Sequence, residues 1–284
     1  MYTLAEIGSD LFMGHHEGSF QVNGNSVTRI SNGKGSWTFQ SLKANPDYIL
    51  CGTYEGFQLL IKNNDQWVLS HEVSGFKESS RVIEQDVDNN IWMTHGYKGV
   101  FKVRLSKDFR RAETIDFYGS EQGLPSNALI NVFRIKNDLI FTTEKHIYKY
   151  DPVANNFSIH KAYPPELGLP KTLNFLSEDA FGNIYFIGQD SLGVLSSSSP
   201  GQYEVNTSDF NKIKKLMNDD LQNVNILNGR YVLYGAKEGF VIYDPNHKKK
   251  ETKHYKTLIR KVELDHNDSI IFGGNFIDDY SIVS

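Results

Sequence analysis

The chain has 284 residues, of which 39% are hydrophobic and 13% aromatic, and its formal net charge is −4. This composition supports a sizeable core and excludes a disordered chain, and the small negative charge excludes a global basic field that would attract nucleic acid. The sequence contains no apolar run near the ~20 residues of a membrane-spanning helix and no recognisable signal peptide. Its single cysteine, Cys51, excludes an intramolecular disulfide and thiolate-rich zinc sites.

A short apolar strand phrase recurs about every forty residues along the chain. Its copies begin at Leu11, Ile49, Ile91, Leu139, Ile184, Val232 and Ile270. The fourth residues of successive copies are separated by 38, 42, 48, 45, 48 and 38 residues. This step, with several short β-runs inside it, is the length of one four-stranded propeller blade. Because a blade is stable only when stacked on neighbours, the repeat favours one propeller over two ordinary domains.

The third repeat shows the layout expected inside each blade. Residues 81–86 are β-prone, and the turn-forming residues 88–90 separate them from the continuous apolar run 91–94. Residues 100–105 alternate with period two, and residues 112–118 make a weaker fourth strand. Four strands with tight connections therefore account for the whole step.

The sequence predicts an all-β fold, a propeller of about six four-stranded blades within residues 1–256. The blades are expected to start near residues 1, 37, 79, 126, 171 and 221. Residues 257–284 are predicted to begin a following β-sandwich domain or a partial last blade. The alternative is a seven-bladed ring closed by the tail from residue 258. Six blades are preferred because that tail has no outer two strands of its own.

Four elements of the repeat resemble those of the two-component regulator propeller family. They are the opening Gly123-Leu124-Pro125-Ser126-Asn127, the turns Asp88-Asn89-Asn90 and Ala180-Phe181-Gly182-Asn183, the strand Ile91-Trp92-Met93-Thr94, and the strand Gly239-Phe240-Val241-Ile242-Tyr243-Asp244. The likeness covers residues 1–256, with one intact opening and several degenerate copies. The tail 258–284 is similar to the start of the triple-tyrosine domain that follows such propellers.

The resemblance implies a sensory segment of a larger signalling protein. Relatives of this kind are Bacteroidetes-type sensor histidine kinases or propeller-fused regulators, whose propellers sense ligands, often glycan fragments, outside the cytoplasm. It therefore implies a non-catalytic, periplasmic segment without a cofactor. The expected partners are a small-molecule or oligosaccharide ligand and the adjoining propeller and β-sandwich domains. Direct nucleic-acid binding and membrane insertion are not expected, and a homodimer would form through the parent protein.

Propeller topology places the second-to-third connections of all blades on one face, together with the connections between blades. Tyrosine beside Glu, His or Lys suits oligosaccharide recognition, because the ring stacks on a sugar and the polar groups bind hydroxyls. If a small ligand binds, these residues are expected to border it: Tyr54, Glu55, His95, Tyr97, Lys98, Lys145, His146 and Lys237. Tyr97 is expected to matter most, since Gly96 and Gly99 flank it and leave its ring clear of the backbone.

Two other functions remain open from the sequence. One is a propeller enzyme acting on polysaccharide, a lyase or glycosidase, which would need a cluster of acids or a His/Tyr pair lining the central channel. The other is a protein-interaction scaffold. The adjacent His15 and His16 point to opposite faces of a strand and do not predict a metal site. Acid pairs do not recur at a fixed blade position, and a Gly-x-Ser-x-Gly motif is absent, so neither catalytic nor metal residues are predicted.

Overall fold

The computed structural model describes residues 1–170, 172–199, 202–218, 222–227, 229–247, 261–265 and 269–273. The chain divides into two compact units, Met1–Asp244 and Pro245–Ser284. The predicted boundary at residues 256–257 lies outside the described residues. So does most of the tail predicted to begin a β-sandwich.

The first unit contains six antiparallel sheets, each in chain order. Blade one comprises β1 (Thr3–Ile7), β2 (Asp10–His15), β3 (Gly18–Asn23) and β4 (Ser26–Arg29). Blade two comprises β5 (Ser36–Ser41), β6 (Tyr48–Thr53), β7 (Gly56–Asn63) and β8 (Gln66–Glu72). Blade three comprises β9 (Val82–Gln85), β10 (Ile91–His95), β11 (Gly99–Leu105) and β12 (Ala112–Tyr118).

The second half of this unit repeats the pattern. Blade four comprises β13 (Asn131–Ile135), β14 (Asp138–Thr142), β15 (Ile147–Asp151) and β16 (Asn156–Ile159). Blade five comprises β17 (Leu173–Glu178), β18 (Ile184–Gly188), β19 (Leu192–Ser199) and β20 (Gln202–Asn206). Blade six has three described strands, β21 (Val224–Leu227), β22 (Tyr231–Ala236) and β23 (Gly239–Tyr243). In the part of the chain that the structure describes, helix is confined to short turns at Ser120–Gln122, Pro165–Leu167, Ser208–Phe210 and α1 (Asn211–Lys214).

The predicted six-bladed all-β propeller is confirmed. The first strands begin at residues 3, 36, 82, 131, 173 and 224, close to the predicted blade starts. Each of the first six strand phrases forms the second strand of its blade. The seventh forms β25 (Ile270–Gly273), which pairs antiparallel with β24 (Lys261–Glu263) in the second unit. Among the described residues, no helix is long and apolar enough to cross a membrane.

The second strands are buried because large side chains from adjacent blades pack against them. Trp92 of β10 lies 5.4 Å from Phe141 and 4.8 Å from Tyr150 of blade four, measured between ring centroids. Phe12 of β2 lies 5.2 Å from Trp67 of blade two in an edge-to-face contact. Burying a side chain of this size contributes about 1.5–3 kcal/mol. Tryptophan side chains therefore pack between blades at these two junctions.

An aspartate organises the first turn of blade three. The Asp86 carboxylate accepts hydrogen bonds from the backbone N–H groups of Asp88 and Asn90, at 2.9 and 2.8 Å. It also accepts bonds from the Asn90 amide at 2.8 Å and from the indole N–H of Trp92 at 2.9 Å. Asp179 repeats this arrangement in the first turn of blade five. One carboxylate thus fixes both the turn and a buried aromatic ring of the next strand.

At three blade junctions, the fourth residue of the phrase lies against the next blade. A Cβ atom on Gly52 would lie 2.1 Å from the Ser80 carbonyl oxygen, and one on Gly14 would meet the next blade equally closely. In blade four the same position holds Thr142, whose hydroxyl donates to the Leu173 carbonyl at 3.0 Å. Glycine or a hydrogen-bonded threonine therefore permits the close approach of neighbouring blades.

Candidate ligand-binding site

Residues from all six blades line a cavity of about 1170 Å³. Residues in or just before the first strand of every blade line it, so it follows the propeller axis. At the end that carries the second-to-third connections, the wall includes an aromatic and basic group that we call the upper mouth: Tyr2, Trp37, Arg81, His95 and Tyr97. At the other end, the lower end, the wall is charged and includes Glu84, Arg134, Lys136, Glu178 and Asp179.

An aromatic platform forms one side of the upper mouth. The rings of Tyr2 and Trp37 stack with centroids 4.4 Å apart and an interplanar angle of 29°. The Trp37 indole N–H donates to the Ser79 hydroxyl at 3.1 Å, and the Arg81 guanidinium lies 5.6 Å from the Trp37 ring centroid. Trp37 and Tyr2 are both half-buried. The platform is therefore held in place while part of its surface still faces the cavity.

Tyr54 supports this platform from the adjacent connection. Its ring centroid lies 5.1 Å from that of Trp37, and its hydroxyl oxygen lies 2.5 Å from that of Tyr2 and 2.7 Å from His16 Nδ1. Burial, together with the bond to Tyr2, raises the pKa of Tyr54 to about 12. Gly35 makes room for the ring, since a Cβ there would lie 2.4 Å from it. The Tyr54 hydroxyl therefore stays protonated and hydrogen-bonded.

Blade three forms another side of the upper mouth, next to the start of blade four. Tyr97 is 80% exposed, and its backbone N–H donates to His95 Nδ1 at 3.2 Å. Leu129 adopts a positive φ of 54° and donates its N–H to the Gly96 carbonyl at 3.0 Å. The Thr94 hydroxyl is buried and has no hydrogen-bond partner among the described residues, unlike Thr142 at the next junction. The high exposure of Tyr97 agrees with the expectation that its ring stands clear of the backbone.

The remaining predicted site residues lie outside the cavity wall. The Lys98 ammonium is 2.7 Å from Glu78, and the Glu55 carboxylate is 3.1 Å from Lys34. Three more occupy the equivalent connections of blades four and six: Lys145, His146 and Lys237. Of the eight residues, the structure places His95 and Tyr97 in the upper mouth and Tyr54 directly behind its aromatic platform.

The acids at the lower end belong to structural networks. Glu84 lies 3.4 Å from the Arg134 guanidinium. The Gln85 carbonyl accepts from Arg134 and, at 2.8 Å, from the Lys43 ammonium. Burial raises the pKa of Glu84, against the attraction of Arg134 and Lys43, and burial beside Arg134 lowers the pKa of Lys43. The Glu178 carboxylate accepts from a backbone N–H of the adjacent blade at 2.6 Å.

Metal binding has no support in the part of the chain that the structure describes. That part contains no group of three or more His, Cys, Asp or Glu side chains arranged to hold an ion. The thiol of Cys51 is fully buried, and this burial raises its pKa to about 11. Cys51 is therefore a core residue rather than a nucleophile.

Sequence reasoning missed three residues of the upper mouth, Tyr2, Trp37 and Arg81, and three residues beside it, His16, Thr94 and Leu129. Trp37 could have been found, because it lies at the start of β5, directly after the connection between blades one and two and on the face predicted to bind a ligand. One part of its ring packs on Tyr2 and another faces the cavity. His16 lies in the second-to-third connection of blade one, but its role, like that of Tyr2, depends on a contact with Tyr54 of blade two.

The sequence matches neither a known family model nor a curated protein. The fold does match solved structures. The extracellular domain of the hybrid two-component system BT3049 from B. thetaiotaomicron has a TM-score of 0.63 and 16% identity over 94% of this chain. The corresponding domain of BT4673 from the same organism has a TM-score of 0.62 and 16% identity over 87% of this chain. The chain shares their propeller fold.

The propeller accounts for part of those longer proteins, since the chain covers 37% of the first and 32% of the second. Virginiamycin B lyase from Staphylococcus aureus also matches, with a TM-score of 0.53 and 10% identity over 82% of this chain and 75% of the lyase. The fold therefore occurs both in extracellular domains of sensors and in an enzyme, and the residues of the site must carry the functional argument.

Proposed function

We propose that the chain is a ligand-sensing propeller segment of a signal-transduction receptor and that it binds an oligosaccharide at the upper mouth. The observation that carries the proposal is the pairing of the Tyr2–Trp37 platform with the exposed Tyr97 across one cavity. The structural likeness to extracellular sensor domains supports it. In this proposal the segment lies in the periplasm, beside a further propeller and a β-sandwich of its parent chain, which dimerises as a whole.

The dimensions and chemistry of the cavity suit a chain of sugar rings. Its volume of about 1170 Å³ exceeds that of most small-molecule sites, which hold roughly 300–1,000 Å³. Aromatic faces stack on the apolar face of a sugar, and each such contact contributes about 1 kcal/mol beyond the buried area. Imidazole and phenol groups at the same mouth, those of His95 and Tyr2, provide hydrogen bonds for hydroxyls.

The ion pairs and hydrogen bonds of the acidic side chains at the lower end support binding of a ligand without its cleavage. Glycoside hydrolysis uses two carboxyl groups, one on each side of the scissile bond. Here Glu84 is paired with Arg134, Glu178 accepts a backbone N–H, and Asp179 is saturated by its own turn. A carboxylate that is committed to such bonds is a poor proton carrier, because catalysis would have to break them.

A polysaccharide-cleaving enzyme is the second candidate. It is favoured by His95 and Tyr97 at the cavity wall, the pair that a lyase would need for proton transfer. The match to a lyase shows that the fold can hold an active site.

Titration with an oligosaccharide panel separates the two candidates. Maltohexaose, xylohexaose and a galacturonan hexamer would be titrated calorimetrically, while reducing ends and unsaturated products are assayed in the same samples. The sensor proposal predicts saturable binding of at least one hexamer without product. Steady turnover that is lost in His95→Ala would instead establish the enzyme, and the absence of binding by every hexamer would contradict the proposed ligand class.

A further inference from the structure

Three side chains from two blades form a continuous hydrogen-bonded chain that ends at the cavity. His16 Nδ1 lies 2.7 Å from the Tyr54 hydroxyl, and that hydroxyl lies 2.5 Å from the hydroxyl of Tyr2. His16 is exposed, whereas Tyr2 is half-buried and lines the upper mouth. The chain therefore connects a solvent-exposed titratable ring with a hydroxyl at the proposed ligand site.

The direction of the hydrogen bonds depends on the charge of His16. A phenol is a stronger acid than a neutral imidazole N–H, so with neutral His16 the Tyr54 hydroxyl donates to Nδ1. When His16 is protonated, both ring nitrogens carry hydrogen and Nδ1 can only donate. The Tyr54 oxygen then accepts a charge-assisted bond, which is stronger than the neutral one.

Reversing the bond between His16 and Tyr54 also reverses the hydrogen bond between Tyr54 and Tyr2. While Tyr54 donates to His16, the single hydrogen between the two phenol oxygens must come from Tyr2. Once Tyr54 accepts from His16, its own hydrogen needs an acceptor, and among the described residues its hydroxyl contacts only His16 and Tyr2. Tyr54 therefore donates to Tyr2, and the hydrogen of Tyr2 turns toward the cavity. The change moves hydrogen positions and leaves the heavy atoms in place.

We propose that His16, acting through Tyr54, sets whether Tyr2 offers the cavity a hydrogen-bond acceptor or a donor. His16 is a positioning residue in this scheme, and Tyr2 is the residue that selects the ligand group. With neutral His16, Tyr2 favours a sugar hydroxyl that donates. With protonated His16, Tyr2 favours a group that can only accept, such as a carboxylate or a ring oxygen. The consequence for ligand choice rests on the proposed function, whereas the switch itself does not.

The charged groups around the hydrogen-bonded chain of His16, Tyr54 and Tyr2 are largely paired with one another. Glu17 is 2.8 Å from Arg29 in blade one, and Lys34 is 3.1 Å from Glu55 and 2.9 Å from Glu72 in blade two. The Arg81 guanidinium lies over the ring of Trp37 in the platform. Among the side-chain types in this group, histidine is the one whose charge ordinarily changes between pH 5 and 8.

Tyrosine NMR tests the switch without a ligand. Protein labelled with ¹³C at tyrosine Cζ and ¹⁵N at histidine would be titrated from pH 5 to 8, with Tyr2→Phe used for assignment. The Tyr2 Cζ resonance should shift with the same midpoint as the His16 imidazole. Tyr54→Phe, which keeps the ring and removes the hydroxyl, should abolish the Tyr2 shift while His16 still titrates. His15→Gln changes the neighbouring histidine, which is not part of this hydrogen-bonded chain, and should leave the shift of the Tyr2 resonance intact.

Two results would overturn the proposal. One is a Tyr2 resonance that stays constant while His16 titrates in the unmodified protein. The other is a Tyr2 shift that persists in Tyr54→Phe, which would mean that the charge of His16 acts through space. Thermal melts of each variant verify folding. If none of the three hexamers binds, the proposed function fails but this titration still decides the switch.

Discussion

The exposed ring of Tyr97 tests the upper mouth at the scale of one residue. Tyr97→Ala is expected to weaken binding of the tightest hexamer about five-fold, since one stacking contact contributes about 1 kcal/mol. The melting temperature should stay unchanged because the ring is 80% exposed. Phe181→Ala is the matched control, since that ring is 74% exposed in a first-to-second connection at the other end of the blades. Equal losses from both variants would contradict the assignment.

Glu84 provides a test of electrostatics at the lower end. Burial raises its pKa in the folded state above the ordinary value, so the stability that this group contributes is present in acid and is lost as pH rises through the folded pKa. Glu84→Gln should therefore gain stability relative to the unmodified protein between pH 4 and pH 7.5, as measured by urea unfolding. A relative loss over that range would show that attraction to Arg134 and Lys43 outweighs desolvation.

Residues of the site could be predicted from sequence only where the repeat itself marks them. Tyr54, His95 and Tyr97 lie at the same connection of successive blades, so topology alone placed them on one face. His16 lies at the same connection of blade one, but the contacts that His16 and Tyr2 make with Tyr54 could not be found in this way. These contacts span 38 and 52 residues of sequence and depend on how closely blades one and two approach.

The Asp86 turn tests what holds one blade together. Asp86→Ala should lower the free energy of unfolding by about 3 kcal/mol or more, because the buried indole N–H of Trp92 and the amide of Asn90 lose their acceptor. Asp88→Ala, an exposed change in the same turn, should shift it by less than about 0.5 kcal/mol. Chemical denaturation measures both. Similar small effects would mean that the carboxylate does not organise the turn.

The junction between blades two and three tests their close approach. Gly52→Ala should destabilise the protein by about 1–3 kcal/mol, because the new Cβ would lie 2.1 Å from a backbone oxygen that cannot easily move. Gly96→Ala is the control, since no atom lies within 4 Å of a Cβ placed there. Thermal unfolding compares the two variants. If Gly52→Ala proved as stable as Gly96→Ala, the junction would be looser than the structure shows.

Sequence periodicity predicted the elements well because each phrase is a buried second strand with the same neighbours. The largest difference in blade starts is at blade four, expected near 126 and observed at 131. The Gly-Leu-Pro-Ser-Asn opening there belongs to the connection instead. The Asn127 side chain accepts from the backbone N–H of Ser120 at 2.8 Å and stabilises the short helical turn before it. Because this hydrogen bond keeps Asn127 in the connection, the first strand of blade four begins only at Asn131.

At the scale of the whole molecule, the proposed function depends on a cavity that no single repeat encodes. Most of its wall comes from first strands and the residues that flank them, and these differ from blade to blade: aromatic in blades one and two, charged in blades three and four. The repeat phrase lies one strand further out, and of its copies only the third reaches the described wall, through Thr94. The position of the second-to-third connections on one face of the propeller could therefore be predicted from sequence, whereas the Tyr2–Trp37 platform could not.

A crystal structure with a bound hexamer tests the central claim most directly. Crystals would be grown with the tightest-binding member of the panel, and product assays on the same solution would verify that it remains intact. We expect an uncleaved oligosaccharide at the upper mouth, with one ring on the Tyr2–Trp37 platform and another in contact with Tyr97. A sugar bound on the outer surface or at the lower end, or a cleaved product in the cavity, would contradict the account.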